Sequence, residues 1–263
     1  MKVLYFDCIG GISGDMTVAA LLDAEDHEKD LLKVLRSLPL SPWDWQRRDL
    51  KKGEFRTNHI DFLIEENQPH RHLSDIETII TAGDLPQKVK KKIMEVFHLL
   101  GEAESKAHGI PVDQVHFHEV GADDTILDIT AATWLLSVMD IGEIYASPLP
   151  LGHGLMEGCH GIMPHPAPAL NELLKGVEIF GCEENSETVT PTGIALLKAH
   201  KAKFGTIPPM TVTAVGLGGG SKDFKRPNML RAMVGTHGDT PANVIQLETT
   251  VDDMTGQENG YLW

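Results

Sequence analysis

The sequence predicts an α/β fold, with α+β as the alternative, in which helices flank a mixed sheet and one long Gly/Pro-rich loop carries function. Three observations lead there. A buried-strand run at the N-terminus turns through glycines directly into an apolar helix. Strand-like and helix-like periodicities then alternate along the chain. Finally, 263 residues with 41% hydrophobic content are enough for a sizeable core.

Residues 3–7 form the first strand, and Gly10, Gly11, Ser13 and Gly14 make a turn into a helix over 16–22. A second helix is predicted over 29–38, stopped by Pro39 and Pro42, and a hairpin follows within 43–64, turning at 51–53. Ser74 and Glu77 have capping-box spacing for a helix over 75–82. After Asp84, the apolar positions Val89, Ile93, Val96, Phe97, Leu100 and Ala103 keep helical spacing until Gly109. A strand is predicted over 115–120, delivering Asp123 and Asp124 to the start of a helix over 126–139. Residues 147–168 hold five prolines and four glycines and are read as a structured loop, the length of which points to function. Helices over 170–175 and 191–201 and strands over 211–215, 229–234 and 244–249 complete the chain.

Charge and composition exclude several classes. With 23 basic and 38 acidic residues the net charge is −15, the wrong sign for a nucleic-acid backbone. No apolar run approaches the length of a membrane span, and Asp7 interrupts the opening segment before a signal-type region could form. The three cysteines, Cys8, Cys159 and Cys182, lack C-x-x-C spacing, which argues against a disulfide framework or thiolate zinc site and fits a reducing cytoplasm.

Histidine carries the chemical signal, with 13 residues, several of them in tight pairs. On a strand, His116 and His118 share a face and make a metal edge, beside Glu119, Asp123 and Asp124; a pair of hydrogen-bonded surface histidines with two helix-capping aspartates is the alternative. His70 and His72 form a second pair, either ligands or a solvated loop. His153, His160 and His165 ride on the proline-stiffened loop, whose rigidity would lower the entropy cost of presenting ligands. Together these clusters point to a divalent metal. No H-E-x-x-H is present, so zincin-type proteolysis loses support. Gly11, Ser13 and Gly14 could offer backbone N–H groups to an anion, and Lys222 with Lys225 and Arg226 could line a phosphate turn after the glycines at 216–220. Neither stretch fits a dinucleotide or P-loop pattern, and a plain hairpin loop is the alternative for the second. Asp7 and Asp15 bracket the first loop as hard-cation ligands or as turn caps.

Seven blocks, in order, resemble one family. They are Leu4-Tyr5-Phe6-Asp7 with Gly11-Ile12-Ser13-Gly14-Asp15-Met16; His70-Arg71-His72-Leu73; residues 115–122; residues 161–169; Val189-Thr190-Pro191-Thr192-Gly193; and Val251-Asp252-Asp253-Met254-Thr255-Gly256. They are similar to the LarC family, the nickel insertion proteins of nickel-pincer cofactor biosynthesis. The resemblance implies a CTP-dependent nickel insertase, a lyase-type cyclometallase using CTP with Mg or Mn. It would place Ni(II) into pyridinium-3,5-bisthiocarboxylic acid mononucleotide to make the cofactor of the lactate racemase LarA. Imidazole binds Ni(II) without the commitment of thiolate, so a His-lined site could hold the metal and release it to two thiocarboxylate sulfurs. Loss of a ring proton would need an acceptor, for which Glu119 and Asp124 are candidates. The first loop reads Asp7-Cys8-Ile9-Gly10-Gly11 where the family tends to Asp-Ala-Phe-Ser-Gly, and His165 stands where Val is usual, which ranks it below His160 as a ligand. The family also continues into a C-terminal domain beyond the last block, so residues 1–263 are read as its N-terminal nickel-binding region, with a sub-boundary near 66–70 and the C-terminal part and a second copy of the chain as partners. The rival readings are a nickel-storage or metallochaperone module and, more distantly, a metal-dependent hydrolase built on His116, His118 and Asp124.

Overall fold

A computed structural model describes residues 1–65, 69, 71–117, 121–158 and 161–237. In chain order the elements are β1 (Lys2–Asp7), α1 (Gly14–Ala24), α2 (Glu28–Leu35), β2 (Asp44–Lys52), β3 (Phe55–Leu63), α3 (Leu73–Ala82), α4 (Gln87–His108), a 3-10 turn (Val112–Gln114) and α5 (Asp123–Val138). There follow β4 (Ile141–Ala146), β5 (Leu149–Leu151), β6 (Gly154–Gly158), β7 (Gly161–His165), α6 (Pro168–Leu173), β8 (Ile179–Gly181), α7 (Pro191–Ala199), β9 (Lys203–Phe204), β10 (Met210–Gly219) and β11 (Met229–His237).

Seven strands make one mixed sheet in the order β2-β3-β10-β11-β1-β4-β9. The strand β1 runs parallel to β4, and β4 parallel to β9. Between β1 and β10 lies β11, antiparallel to both, so β1, β4, β9 and β10 all point the same way. Two short pairs, β5 with β8 and β6 with β7, stand apart from this sheet.

The α/β expectation holds, and its physical basis is visible in burial. Val3, Leu4, Tyr5 and Phe6 are consecutively buried, as befits a strand covered on both faces. Ser13 caps α1 by accepting a hydrogen bond from the Met16 backbone N–H, and the helix is buried continuously from Met16 to Leu22. On α4, the predicted apolar stripe from Val89 to Ala103 faces the core, and Gly109 ends the helix with φ at 67°.

Four expectations are corrected. Residues 115–117 do not form a strand: the Gln114 turn leads only to an isolated antiparallel bridge between Phe117 and Arg71, and the rest of the expected strand, 118–120, lies outside the described residues. The segment 147–168 is not one irregular loop but contains β5, β6 and β7. Its prolines are tolerated because two-stranded pairs are all edge, and Gly154 and Gly161 take the positive φ values that the ribbon requires. The cap of α3 comes from Asp75, whose carboxylate accepts the His72 backbone N–H at 2.8 Å, rather than from Ser74 and Glu77. Gly216 and Gly218 are not loop residues but lie in β10. A Cβ there would come within 2.0 Å of the Ala20 and Met16 carbonyl oxygens, so glycine is what lets α1 lie directly on the strand. The strand expected over 244–249 lies outside the described residues, as do four of the five positions of the sub-boundary near 66–70.

Candidate functional site

Because β1, β4 and β10 run in one direction, the segments leaving their carboxyl ends gather at one end of the sheet, where open α/β sheets commonly bind ligands. The glycine loop after β1, the segment after β4 and the turn from β10 to β11 all open there.

Two of the histidine pairs meet through the Arg71–Phe117 bridge. The Phe117 N–H donates to the Arg71 carbonyl at 3.1 Å, which sets His72 and His116 side by side with ring centroids 4.0 Å apart. His72 Nδ1 lies 3.0 Å from the Val115 carbonyl oxygen. A carbonyl only accepts, so Nδ1 carries the proton and Nε2 keeps the lone pair that a metal needs. The alternate residues Arg71 and Phe117 are buried. Arg71 places one guanidinium nitrogen 2.6 Å from Asp123 Oδ1 and donates from the other to the Gly121 carbonyl at 2.7 Å, anchoring this bridge to the start of α5. His70, His118 and Glu119 lie outside the described residues.

One turn of α5 brings acids toward α1. Asp124 is exposed, and its Oδ1 accepts from the Thr125 N–H at 2.7 Å; surrounding protein and then Asp123 raise its carboxyl above the usual range. Asp128 is raised much further, by burial first and then by Asp15 and Asp124. Its carboxyl occupies the space that a side chain at position 14 would need, since a Cβ on Gly14 would lie 2.4 Å from Oδ2. Asp15 is also raised by burial, against the opposing effect of its hydrogen bonds with the Ser13 hydroxyl and the Met16 N–H. Among the described residues, no group of three or more His, Cys, Asp or Glu side chains is arranged to hold a metal ion.

The first loop is largely engaged with the protein itself. The Gly10, Gly11 and Ile12 N–H groups donate to the carbonyls of Met229, Cys8 and Thr188, and Gly11 has φ at 120° with no room for a Cβ against Thr188. Asp7 pairs with Arg231 and borders an open cleft of about 370 Å³ together with Cys8, Ile9, Ser147, Phe180 and Arg226. Burial holds the Cys8 thiol up at about 12, so it stays protonated and offers no thiolate. Arg226 stacks 5.3 Å over Phe180.

Lys222 is held by its backbone, which leaves its ammonium open to solvent. Its carbonyl accepts from Lys52 Nζ at 3.0 Å and from Asn228 Nδ2 at 2.8 Å, while the buried Lys52 also reaches Asp223 Oδ1 at 2.7 Å. His153 is exposed and donates its backbone N–H to the Glu184 carbonyl at 3.0 Å, and His160 lies outside the described residues. Spacing could not reveal Lys52, or the pairing of Arg71 with Asp123, because each depends on contacts between distant segments. The one available signal was Arg71 standing between two histidines.

The family described as Nickel insertion protein matches residues 4–263. The pyridinium-3,5-bisthiocarboxylic acid mononucleotide nickel insertion protein of Desulfitobacterium hafniense is 40% identical over 271 residues, covering 100% of this chain and 67% of the relative. The protein of that name from Staphylococcus epidermidis is 40% identical over 260 residues, covering 98% of this chain and 66% of the relative. A Geotalea daltonii protein is 42% identical over 269 residues, covering all of this chain and 68% of its own length. No solved structure matches.

Proposed function

The chain belongs to the nickel insertion protein family, and on that premise we propose that it holds Ni(II) at His72 and His116 and passes it to pyridinium-3,5-bisthiocarboxylic acid mononucleotide. The observation that carries this reading is the pair of adjacent imidazoles, one with its proton assigned to Nδ1 by the hydrogen bond there, which leaves the lone pair on Nε2. Neutral imidazoles suit Ni(II) yet yield it to a substrate that offers two sulfur donors, which is the behaviour a delivery site needs. The product would be the nickel-pincer cofactor of lactate racemase, and the reaction would use CTP with Mg or Mn as its cation. Forming a carbon–nickel bond requires a ring proton to leave. Asp124, at the start of the helix that Arg71 anchors, and Glu119 are the acceptors proposed for it. The 1–263 chain would act as the metal-holding part of the longer protein, joined by a C-terminal part.

Calorimetric titration of Ni(II) into the chain, with and without CTP, tests this. His72→Ala with His116→Ala should remove one nickel equivalent without unfolding the chain, and unchanged stoichiometry would overturn the site. Adding the mononucleotide with CTP should then give the absorption spectrum of the metallated product. Bound nickel that CTP leaves in place would assign the chain to metal storage instead.

A further inference from the structure

The ribbon of β6 and β7 presents an anomaly that nickel binding at His72 and His116 does not use. His165 is only 6% exposed, and neither ring nitrogen has a hydrogen-bond partner. A buried imidazole without partners on either nitrogen is expensive, so a ligand that supplies them explains its presence. In the ribbon, His165 stands directly opposite Gly154. A Cβ on Gly154 would lie 1.6 Å from Asn185 Oδ1, so the missing side chain lets the Asn185 carboxamide sit on the same face as the imidazole. Glu184 ties this corner to the turn between β10 and β11: its backbone carbonyl accepts the His153 N–H, and its Oε1 accepts the Arg226 N–H at 3.2 Å. That turn carries Lys222, Lys225 and Arg226, a cationic segment in a chain of net charge −15. Burial, then the charge of Lys222, then His153 hold the His165 imidazole below its ordinary pKa, so Lys222 and His153 belong to its electrostatic neighbourhood.

We propose that His165, His153 and Lys222, with the Asn185 carboxamide, form an anion subsite that takes the phosphate monoester of the mononucleotide. This rests on the proposed function for the identity of the substrate, though not for the existence of the subsite. A metal is the wrong occupant, because no third His, Cys, Asp or Glu ligand joins the two imidazoles among the described residues, and the nearby charge of Lys222 opposes a cation. A phosphate gains an N–H donor from His165, charge from Lys222 and an amide donor from Asn185, and it leaves the pyridinium end of the molecule free for the nickel chemistry.

Nicotinate mononucleotide, its nucleoside and inorganic phosphate are the probes, measured by calorimetry on the full chain. The mononucleotide should bind about tenfold or more tightly than the nucleoside, the ratio expected of charge-assisted hydrogen bonds, and inorganic phosphate should compete with it. His165→Val, which keeps the position filled, should bring that ratio close to one, and so should the exposed Lys222→Ala, which keeps the test valid if the buried variant misfolds. A ratio unchanged in both variants overturns the subsite. Competition by phosphate without any preference for mononucleotide over nucleoside overturns its assignment to the substrate, while the nickel reading stands or falls on the His72 and His116 titration. If His165→Val removes a nickel equivalent and leaves the phosphate preference intact, the pair is a metal site and the proposal falls.

Discussion

Replacing Arg71 by Met should cost this chain more stability than an ordinary buried substitution. Arg71 is 7% exposed and Asp123 0% exposed, and their charged atoms are 2.6 Å apart. At that separation and an effective dielectric constant of about 20, the attraction is about 6 kcal/mol, most of it offset by the desolvation of both groups. Removing only the cation keeps the desolvation of Asp123 and deletes what compensates it, and it also strands the Gly121 carbonyl that Arg71 satisfies. The expected loss is about 3–5 kcal/mol. Urea unfolding followed by circular dichroism gives the number, and Arg71→Met combined with Asp123→Leu should recover most of it, since neither charge is then left unpaired. The His72–His116 contact hangs from the same bridge, so nickel affinity should fall in the single variant even at low denaturant, where the chain is folded. A loss under about 1 kcal/mol, or a double variant as unstable as the two singles added together, would refute the reasoning.

Acid should weaken the fold through His200. Burial first, and then Lys92, pull its imidazole down to about 4, with Glu95 opposing. The unfolded chain therefore binds the proton more readily: the stability is complete above a pH of about 6.5 and declines as pH falls toward about 4, by up to about 3 kcal/mol. Urea midpoints at about pH 7 and about pH 5 should differ in the native chain and differ less in His200→Gln, and equal pH dependence in the two would reject the assignment. Gly218→Ala should force α1 from β10 and lower stability by about 1–3 kcal/mol. Gly181→Ala, where a Cβ meets nothing within 4 Å, should leave the thermal midpoint unchanged. Lys52→Met should loosen the turn at 221–223, read as faster backbone amide exchange there, because Lys52 Nζ holds two carbonyls and one carboxylate of that turn.

Much of this architecture is written in local pattern. The uninterrupted apolar run of β1, the stripe on α4 and the glycine after it each name their element without reference to the rest of the chain. Local pattern fails where long-range contact decides. Gly216 and Gly218 have the composition of a phosphate loop, and only the approach of α1 shows that they are there to admit a helix. The prolines at 150 and 164 argue against strands, yet a ribbon with no inner strand has places for them. At the candidate site, residue type was legible and partnership was not. His72 and His116 are each visible as half of a pair, but the contact that joins them crosses from one pair to the other through a bridge made by Arg71 and Phe117. Asp123 is the helix-start acid that the sequence suggests, and what the sequence does not show is that it is also the buried partner of that arginine.

The position of β11 has a consequence for how the chain comes into being. It separates β1 from β10, and no direct pairing joins the β2-β3-β10 side of the sheet to the β1-β4-β9 side. During synthesis β1 is finished at residue 7, yet its partner does not begin until residue 229. At about 5–20 residues per second, that leaves one flank of β1 unpaired for on the order of tens of seconds. Its row of unmatched N–H and C=O groups is then a template for any passing strand, including one from a neighbouring ribosome. A chain interrupted before residue 229 would hold two part-sheets with nothing between them, so premature release should yield aggregates rather than a smaller folded product.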